Sequence, residues 1–170
     1  SQGEGISFSV ADKVRIAHKL DEFGVDFVEG GWPGSNPKDV EFYQVMARDP
    51  LVSARLTAFG STRRAHRSAH EDETMQDLLP ASCETITIFG KAWDTLRVSL
   101  AENLAMIGDS VGFLRRHVPM VIFDAEHFFD GYKANPEYAL KCLKVAEDSG
   151  ADCIVLCDTN GGSLPNEIAE

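Results

Sequence analysis

The chain has 170 residues, of which 44% are hydrophobic, and this size and composition are typical of one globular domain rather than a disordered segment. Its formal net charge of −11 argues against a general surface for nucleic acid or for anionic membranes. No apolar stretch approaches the roughly 18 residues of a membrane span, so we expect a cytoplasmic protein with neither kind of partner.

Helices and short apolar runs alternate along the whole chain. Ser9 can cap the first helix and Gly24 can end it. The apolar spacing predicts four further helices, over residues 39–49, 70–81, 93–117 and 135–150. Five apolar runs are predicted to be strands, over residues 25–31, 56–62, 85–91, 121–127 and 153–162.

The ends of the five strands recur at a nearly constant spacing. They are marked by Glu29, Gly60, Gly90, Asp124 and Asp158, which lie 31, 30, 34 and 34 residues apart. A strand, a turn, a helix and a return loop need about 30 residues, so each interval is one βα unit. The pattern predicts an α/β fold with a parallel sheet, either part of an eight-unit barrel, which needs about 250 residues, or a five-stranded open sheet.

The four cysteines, Cys83, Cys142, Cys153 and Cys157, form no CxxC pair. Cys153 and Cys157 lie on a predicted buried strand, where the alternation of side chains turns both to one face. We therefore expect reduced core cysteines rather than zinc ligands or a disulfide.

The densest polar segment is F-D-A-E-H-F-F-D-G-Y at residues 123–132. On a strand, Asp124 and Glu126 share a face, while His127 points the other way or begins the loop. A carboxylate that lines a barrel is costly to bury unless it is paired, protonated or near a metal. These residues are candidates for a general acid or base or a substrate anchor, or else for carboxylates neutralised by a residue such as Lys91.

The last strand ends in C-D-T-N-G-G at residues 157–162. Asp158 and Asn160 would share a face, and Thr159 would alternate with them if the strand continues. Two glycines after small donor residues allow a backbone to approach a ligand closely. The alternative is a tight βα turn in which Asp158 accepts hydrogen bonds from the turn itself.

Three other strand ends leave alternatives open. Glu29 begins E-G-G-W-P-G, which is either a flexible ligand loop or an ordinary glycine-rich turn. Lys91 could form a Schiff base with a carbonyl substrate or serve as a counter-ion for the carboxylates. A basic run after the strand predicted over residues 56–62 is either an anion site or a solvated helix start, and it comprises Arg63, Arg64, His66, Arg67 and His70.

The chain resembles the citramalate synthase branch of the 2-isopropylmalate and homocitrate synthase family. The resemblance extends from end to end through six segments in the family order: SQGEGISFS, DFVEGGWPGSNPKD, LTAFGSTRR, TIFGKAWD, FDAEHFFDGY and CDTNGG. It implies a (βα)₈ barrel that condenses acetyl-CoA with a 2-oxo acid, namely pyruvate, to give citramalate. The specificity of 2-isopropylmalate or homocitrate synthase is the alternative within the family.

The resemblance also implies roles for four residues. Glu126 is the catalytic carboxylate that helps to place acetyl-CoA and substrate. Gln2 lies near the 2-oxo acid, Asp124 helps to set the choice of 2-oxo acid, and Thr159 contacts its carboxylate. The family uses Mg or Mn, held by a first-strand D-T-T-L-R-D-G motif and a seventh-strand H-x-H motif, so we expect no metal ligand within this chain.

These implications predict a partial TIM-barrel catalytic domain over residues 1–170, truncated at both ends and lacking the first, seventh and eighth strands. By itself it should be inactive, and its two open sheet edges predict a homodimer. Two rival interpretations remain: a class I aldolase-like barrel that uses Lys91, and a structural half-barrel without catalytic function.

Overall fold

Five parallel strands form one sheet in which each strand lies beside the next strand in the sequence. The computed structural model describes residues 5–93 and 98–169. The sheet order is β1-β2-β3-β4-β5, and every pairing is parallel. The strands are β1 Phe27–Glu29, β2 Arg55–Ser61, β3 Thr85–Lys91, β4 Met120–Glu126 and β5 Cys153–Leu156. The predicted α/β sheet of five βα units, arranged as part of a barrel, is confirmed.

Helices connect the strands. The described helices are α1 Val10–Phe23, α2 Pro37–Met46, α3 Glu73–Gln76, α4 Leu100–Leu114, α5 Phe128–Ala134, α6 Pro136–Asp148 and α7 Pro165–Ala169. Ser9 caps α1 as predicted, because its Oγ accepts from the Asp12 backbone N–H while the Asp12 carboxylate accepts from the Ser9 backbone N–H.

Two predicted helices are shorter than their sequence pattern suggests. The region 70–81 contains only α3 and a 3₁₀ turn at Leu79–Ala81, because Asp72 caps the first turn and Pro80 has no N–H to continue it. The region 93–117 contains α4, which begins after the capping Ser99; residues 94–97 of that prediction lie outside the described residues. Helix α5 was not predicted, because it is one short helix that begins two residues after β4.

The sheet has two chemically different faces. On one face, Ile86 and Ile88 of β3 and Val121 and Phe123 of β4 are buried against the helices. We call the other face the inner face, because it is the one that a barrel would enclose. In β3 and β4 it carries Thr85, Thr87, Phe89, Lys91, Met120, Ile122, Asp124 and Glu126. The core thus lies between sheet and helices, and polar groups gather on the inner face.

The edges of the sheet are exposed within the described chain. Val155 of β5 is 41% exposed, and Cys153 on the same strand is exposed too. The expectation that Cys153 is a core cysteine is therefore wrong, since β5 has β4 beside it and no neighbour on its other side among residues 5–93 and 98–169. Each helix in those two ranges is too short or too polar to span a membrane.

Candidate active site

Two carboxylates of the inner face share one cavity. Glu29 at the end of β1 and Asp124 of β4 line a space of about 430 Å³ together with Thr57, Thr87 and Ile122. Burial raises the pKa of Glu29, and the nearby Asp124 raises it further. Burial likewise raises the pKa of Asp124. Both groups therefore keep a proton to higher pH than exposed carboxylates do.

Glu126 ends β4 with an unsatisfied acceptor. Its Oε2 atom is buried and accepts no hydrogen bond from any of the described residues. The backbone around it is fixed, because the Glu126 carbonyl accepts from the Ala92 N–H at 2.9 Å. A buried acceptor without a donor costs about 1–3 kcal/mol, so a donor from outside the described residues, such as one on a ligand, would stabilise this oxygen.

The carboxylates of this end are close enough to affect a neighbouring thiol. Burial, followed by the charges of Asp124, Glu126 and Glu29, raises the pKa of Cys157 to about 11. The thiol therefore stays protonated at neutral pH and is a poor nucleophile. The three carboxylates thus act on one thiol together; the shared face was predicted for Asp124 and Glu126, and Glu29 joins them in the structure.

Thr159 is tied to the end of β4. Its Oγ1 accepts from the His127 backbone N–H at 2.8 Å. His127 lies in the left-handed region with φ 59°, an unusual conformation for a residue other than glycine. Since this bond uses only a lone pair of Thr159, its hydroxyl proton can be donated to a ligand.

The imidazole of His127 packs beside Trp93, with ring centroids 5.6 Å apart, and its Nδ1 lies 3.9 Å from the Asp130 carboxylate. That Nδ1 atom is buried and makes no hydrogen bond to the described residues. Asp130 is held from the next strand end by Asn160, whose Nδ2 donates to it at 2.8 Å.

The segment after β5 is a turn, as the alternative interpretation of C-D-T-N-G-G proposed. Asp158 accepts from the Ser163 N–H at 3.0 Å and lies 3.2 Å from the Ser163 hydroxyl. The alternation argument for Asp158 and Asn160 fails, because β5 ends at Leu156. Of this segment, Thr159 reaches the end of β4 with a hydroxyl that can face a ligand.

Arg63, the first residue of the basic run, fits neither interpretation of that run: it is not open to an anion, and it is not a solvated residue at a helix start. Arg63 is buried, and its guanidinium contacts Glu102 at 2.9 Å and Asp109 at 2.7 Å. Arg64, by contrast, forms an exposed ion pair with Glu73 at 3.2 Å. The charge of Arg63 is therefore used within the fold.

The glycine-rich loop after β1 is held in place. Lys13 donates to the Gly30 carbonyl at 2.7 Å and pairs with Asp39, which also accepts from the Trp32 N–H at 3.0 Å. Gly31 has φ 112°, and a Cβ there would lie 2.6 Å from the Asp39 Oδ2. These contacts favour the glycine-rich turn over the flexible ligand loop.

An aromatic wall completes the site and was not predicted. The Phe59 and Phe89 rings stack with centroids 5.6 Å apart, and the Trp32 ring meets Phe89 edge-on at 6.2 Å. The only sequence signal was the position of both phenylalanines directly before the strand-end glycines in F-G-S and F-G-K.

The carboxylates of the site do not fit a metal ion by themselves. Among residues 5–93 and 98–169, no three His, Cys, Asp or Glu side chains form a group that could hold one. Gln2, which the resemblance placed near the 2-oxo acid, lies outside the described residues. Asp124 and Glu126 lie on β4, and Thr159 bonds to His127, the residue that follows Glu126.

Parallel strands in chain order, helices on their outer face and polar groups at their carboxyl ends define part of an α/β barrel that carries a candidate active site. The HMGL-like family profile matches residues 1–170. The chain therefore belongs to the HMGL-like family, and the sequence resemblance is confirmed.

Curated relatives cover the whole chain. It is 57% identical to (R)-citramalate synthase of Geobacter sulfurreducens and 55% identical to that of Aquifex aeolicus, in each case over 100% of this chain and 33% of the relative. It is 29% identical to 2-isopropylmalate synthase of Listeria innocua over 99% of this chain and 32% of that protein. The chain thus spans about a third of the length of the curated relatives it matches.

Solved structures share the fold. The carboxyl transferase domain of Rhizobium etli pyruvate carboxylase matches with a TM-score of 0.57 at 13% identity, covering 88% of this chain and 24% of that one. A 2,3-dimethylmalate lyase matches with a TM-score of 0.57 at 16% identity, covering 94% and 56%. At these identities, the likeness extends to the fold alone.

Proposed function

We propose that this chain is part of the catalytic barrel of an acyltransferase that condenses acetyl-CoA with pyruvate to give citramalate. The identity of 51–57% to five (R)-citramalate synthases supports this activity over that of 2-isopropylmalate synthase. The observation that carries the proposal is the bond of Thr159 to His127, the residue next to Glu126, whose buried Oε2 accepts no hydrogen bond from the described residues.

In the proposed reaction, the methyl carbon of the acetyl group bonds to the keto carbon of pyruvate. Water then cleaves the thioester, so that acetyl-CoA, pyruvate and water give citramalate, CoA and a proton. In the parent enzyme, a divalent metal such as Mg or Mn would polarise the keto group. We propose that its ligands lie outside this chain, since the described carboxylates do not fit a metal.

The residues of this chain bind and orient the two substrates. Thr159 donates its hydroxyl proton to the pyruvate carboxylate, and Glu126 accepts a hydrogen bond that places the acetyl-CoA. Asp124 and the ring of Phe89, neighbours in the register of β3 and β4, limit the room for the side chain of the 2-oxo acid. Burial raises the pKa of Asp124, which lowers its repulsion of the anionic substrate.

Release of CoA by the full-length enzyme tests the reaction. Pyruvate should support faster thiol release than 2-oxoisovalerate does. Glu126→Gln should lower kcat/KM about a hundredfold or more, because it removes a positioned charged group at the reacting centre. The control is Glu137→Gln on the exposed surface of α6, which should leave kcat/KM unchanged. Equal rates in both variants would return Glu126 to a structural role.

Thr159→Val should raise KM for pyruvate about fivefold, since one hydrogen bond is worth roughly 1 kcal/mol. Thr159→Ser keeps the hydroxyl and should restore most of the affinity. A change confined to the KM for acetyl-CoA would contradict the assignment of Thr159 to the 2-oxo acid.

A further inference from the structure

Lys91 occupies the inner face at the carboxyl end of β3. Alternation along β3 sends Ile86 and Ile88 into the core and leaves Phe89 and Lys91 on the inner face. The register of β3 and β4 sets Lys91 directly beside Glu126. A lysine is thus present at the level of the proposed catalytic carboxylate, one strand away from it.

The backbone that carries Lys91 is rigid. Its carbonyl accepts from the Asn103 Nδ2 at 2.9 Å, and Asn103 is buried and also contacts the Tyr138 hydroxyl at 2.7 Å. The next residue, Ala92, donates its N–H to the Glu126 carbonyl. The Lys91 side chain therefore leaves the sheet from a fixed point, as a residue that binds a small ligand requires.

The ammonium group of Lys91 has no ion pair with any residue in the ranges 5–93 and 98–169, although three carboxylates face the same side. Glu29, Asp124 and Glu126 lie on the inner face, yet none of them, nor any other described acid, lies within salt-bridge distance of Lys91. Arg63 and Lys13, which lie on other loops and helices of the molecule, are both engaged in internal ion pairs. Within the described residues, no ion pair supports the counter-ion interpretation of Lys91, so its ammonium group can contact an anion.

The two substrates differ in their need for such a charge. A 2-oxo acid is a small anion that must enter a site lined by three carboxyl groups, whereas the reacting thioester of acetyl-CoA is neutral. The raised pKa values of Glu29 and Asp124 lessen the repulsion but add no attraction. A cation near the reacting centre therefore favours the 2-oxo acid.

We propose that Lys91 binds the carboxylate of the 2-oxo acid together with the hydroxyl of Thr159. Lys91 ends β3, and Thr159 lies in the turn after β5, which is two strands away in the sheet, or about 10 Å; a lysine side chain extends far enough to share a carboxylate with Thr159 across that gap. This proposal rests on the proposed condensation of acetyl-CoA with a 2-oxo acid, and it makes Lys91 a noncovalent substrate-binding residue.

Kinetics of the full-length enzyme with Lys91→Met, Lys91→Arg and the surface control Lys144→Met test the proposal. Lys91→Met should raise KM for pyruvate about ten- to a hundredfold, because a hydrogen bond to a charged group is lost, and should change KM for acetyl-CoA by less than about twofold. Lys91→Arg should recover part of the pyruvate affinity, and Lys144→Met should match the wild type. A loss of kcat in Lys91→Met with an unchanged KM for pyruvate would overturn the proposal in favour of an ion pair with Glu126.

Binding of pyruvate and of its uncharged methyl ester, measured by calorimetry without acetyl-CoA, separates this proposal from the proposed function. The wild type should prefer pyruvate, and Lys91→Met should lose that preference. If the wild type binds pyruvate in this way but releases no CoA, the proposed reaction fails while Lys91 keeps its role. An equal preference in both proteins overturns the role of Lys91, as does a borohydride-trapped pyruvate adduct on Lys91, which would support the aldolase-like alternative.

Discussion

Gly131 of α5 allows the end of β3 and the start of the helix after β4 to touch. A Cβ added at Gly131 would lie 2.1 Å from the Ala92 carbonyl oxygen and 3.1 Å from the Trp93 Cα. These are backbone atoms, and Ala92 is itself hydrogen-bonded to Glu126. Gly131→Ala must therefore move main chain by more than an ångström beside the candidate active site.

The size of the effect follows from two opposing contributions. Alanine in place of glycine inside a helix stabilises by about 1 kcal/mol. Overpacking costs about 1–3 kcal/mol, and the upper value applies because the obstructing atoms are backbone. We expect a net loss of about 2 kcal/mol, which corresponds to a fall in Tm of about 4–8 °C for a chain of this size.

Equilibrium unfolding in urea, followed by far-ultraviolet circular dichroism, measures the change. Gly112→Ala is the matched control, because Gly112 also lies in a helix but its nearest neighbouring atom would be 3.9 Å from the added Cβ. The control should gain up to about 1 kcal/mol. Equal stabilities for Gly131→Ala and Gly112→Ala would refute the close contact between α5 and the β3 loop.

Three further outcomes are expected. Arg63→Met should lower the free energy of unfolding by about 1–3 kcal/mol, because Glu102 and Asp109 lose their ion-pair partner. Arg64→Met, which removes an exposed ion pair, should lower it by about 0.5 kcal/mol. Similar losses in the two variants would contradict the buried role of Arg63. Burial holds the pKa of Glu29 above its unfolded value near 4.5, so the native state keeps a proton that the unfolded state loses, and stability falls as pH rises through the folded pKa. Glu29→Gln should remove that part of the decline in urea midpoints measured from about pH 4 to pH 7. An unchanged pH dependence in this variant would contradict the prediction. We expect the chain to form a homodimer through its open sheet edges, where Val155 of β5 is 41% exposed. Val155→Asp should therefore shift sedimentation equilibrium toward the monomer, and a wild-type monomer at high micromolar concentration would contradict this.

The fold was predictable because each βα unit carries its own signals. The glycine or acidic residue at each strand end indicated the order and number of the strands, and the capping Ser9 marked the start of the first helix; the structure confirms both. Helix α5 was missed because its start depends on the left-handed His127 and on the long-range contact of Gly131 with Ala92. Neither feature leaves a periodic pattern in the sequence.

The site was predictable only in part. Strand alternation places Asp124 and Glu126 on one face, and the structure agrees. The sequence pattern could not show that Asp39 and Lys13 fix the loop after β1, or that Glu102 and Asp109 form ion pairs with Arg63, because these partners are distant in sequence. The bond between His127 and Thr159 also joins residues 32 positions apart, so only the folded chain reveals it.

The two faces of β3 and β4 allow the inner face to change in sequence without a change in the core. Ile88 and Phe123 are buried against the helices, while the residues that follow them, Phe89 and Asp124, lie on the inner face. A single substitution at Phe89 or Asp124 should therefore change the inner face of the sheet and leave the packing of the helices intact. Laboratory selection restricted to such alternate positions should yield new substrate preferences at little loss of folded protein.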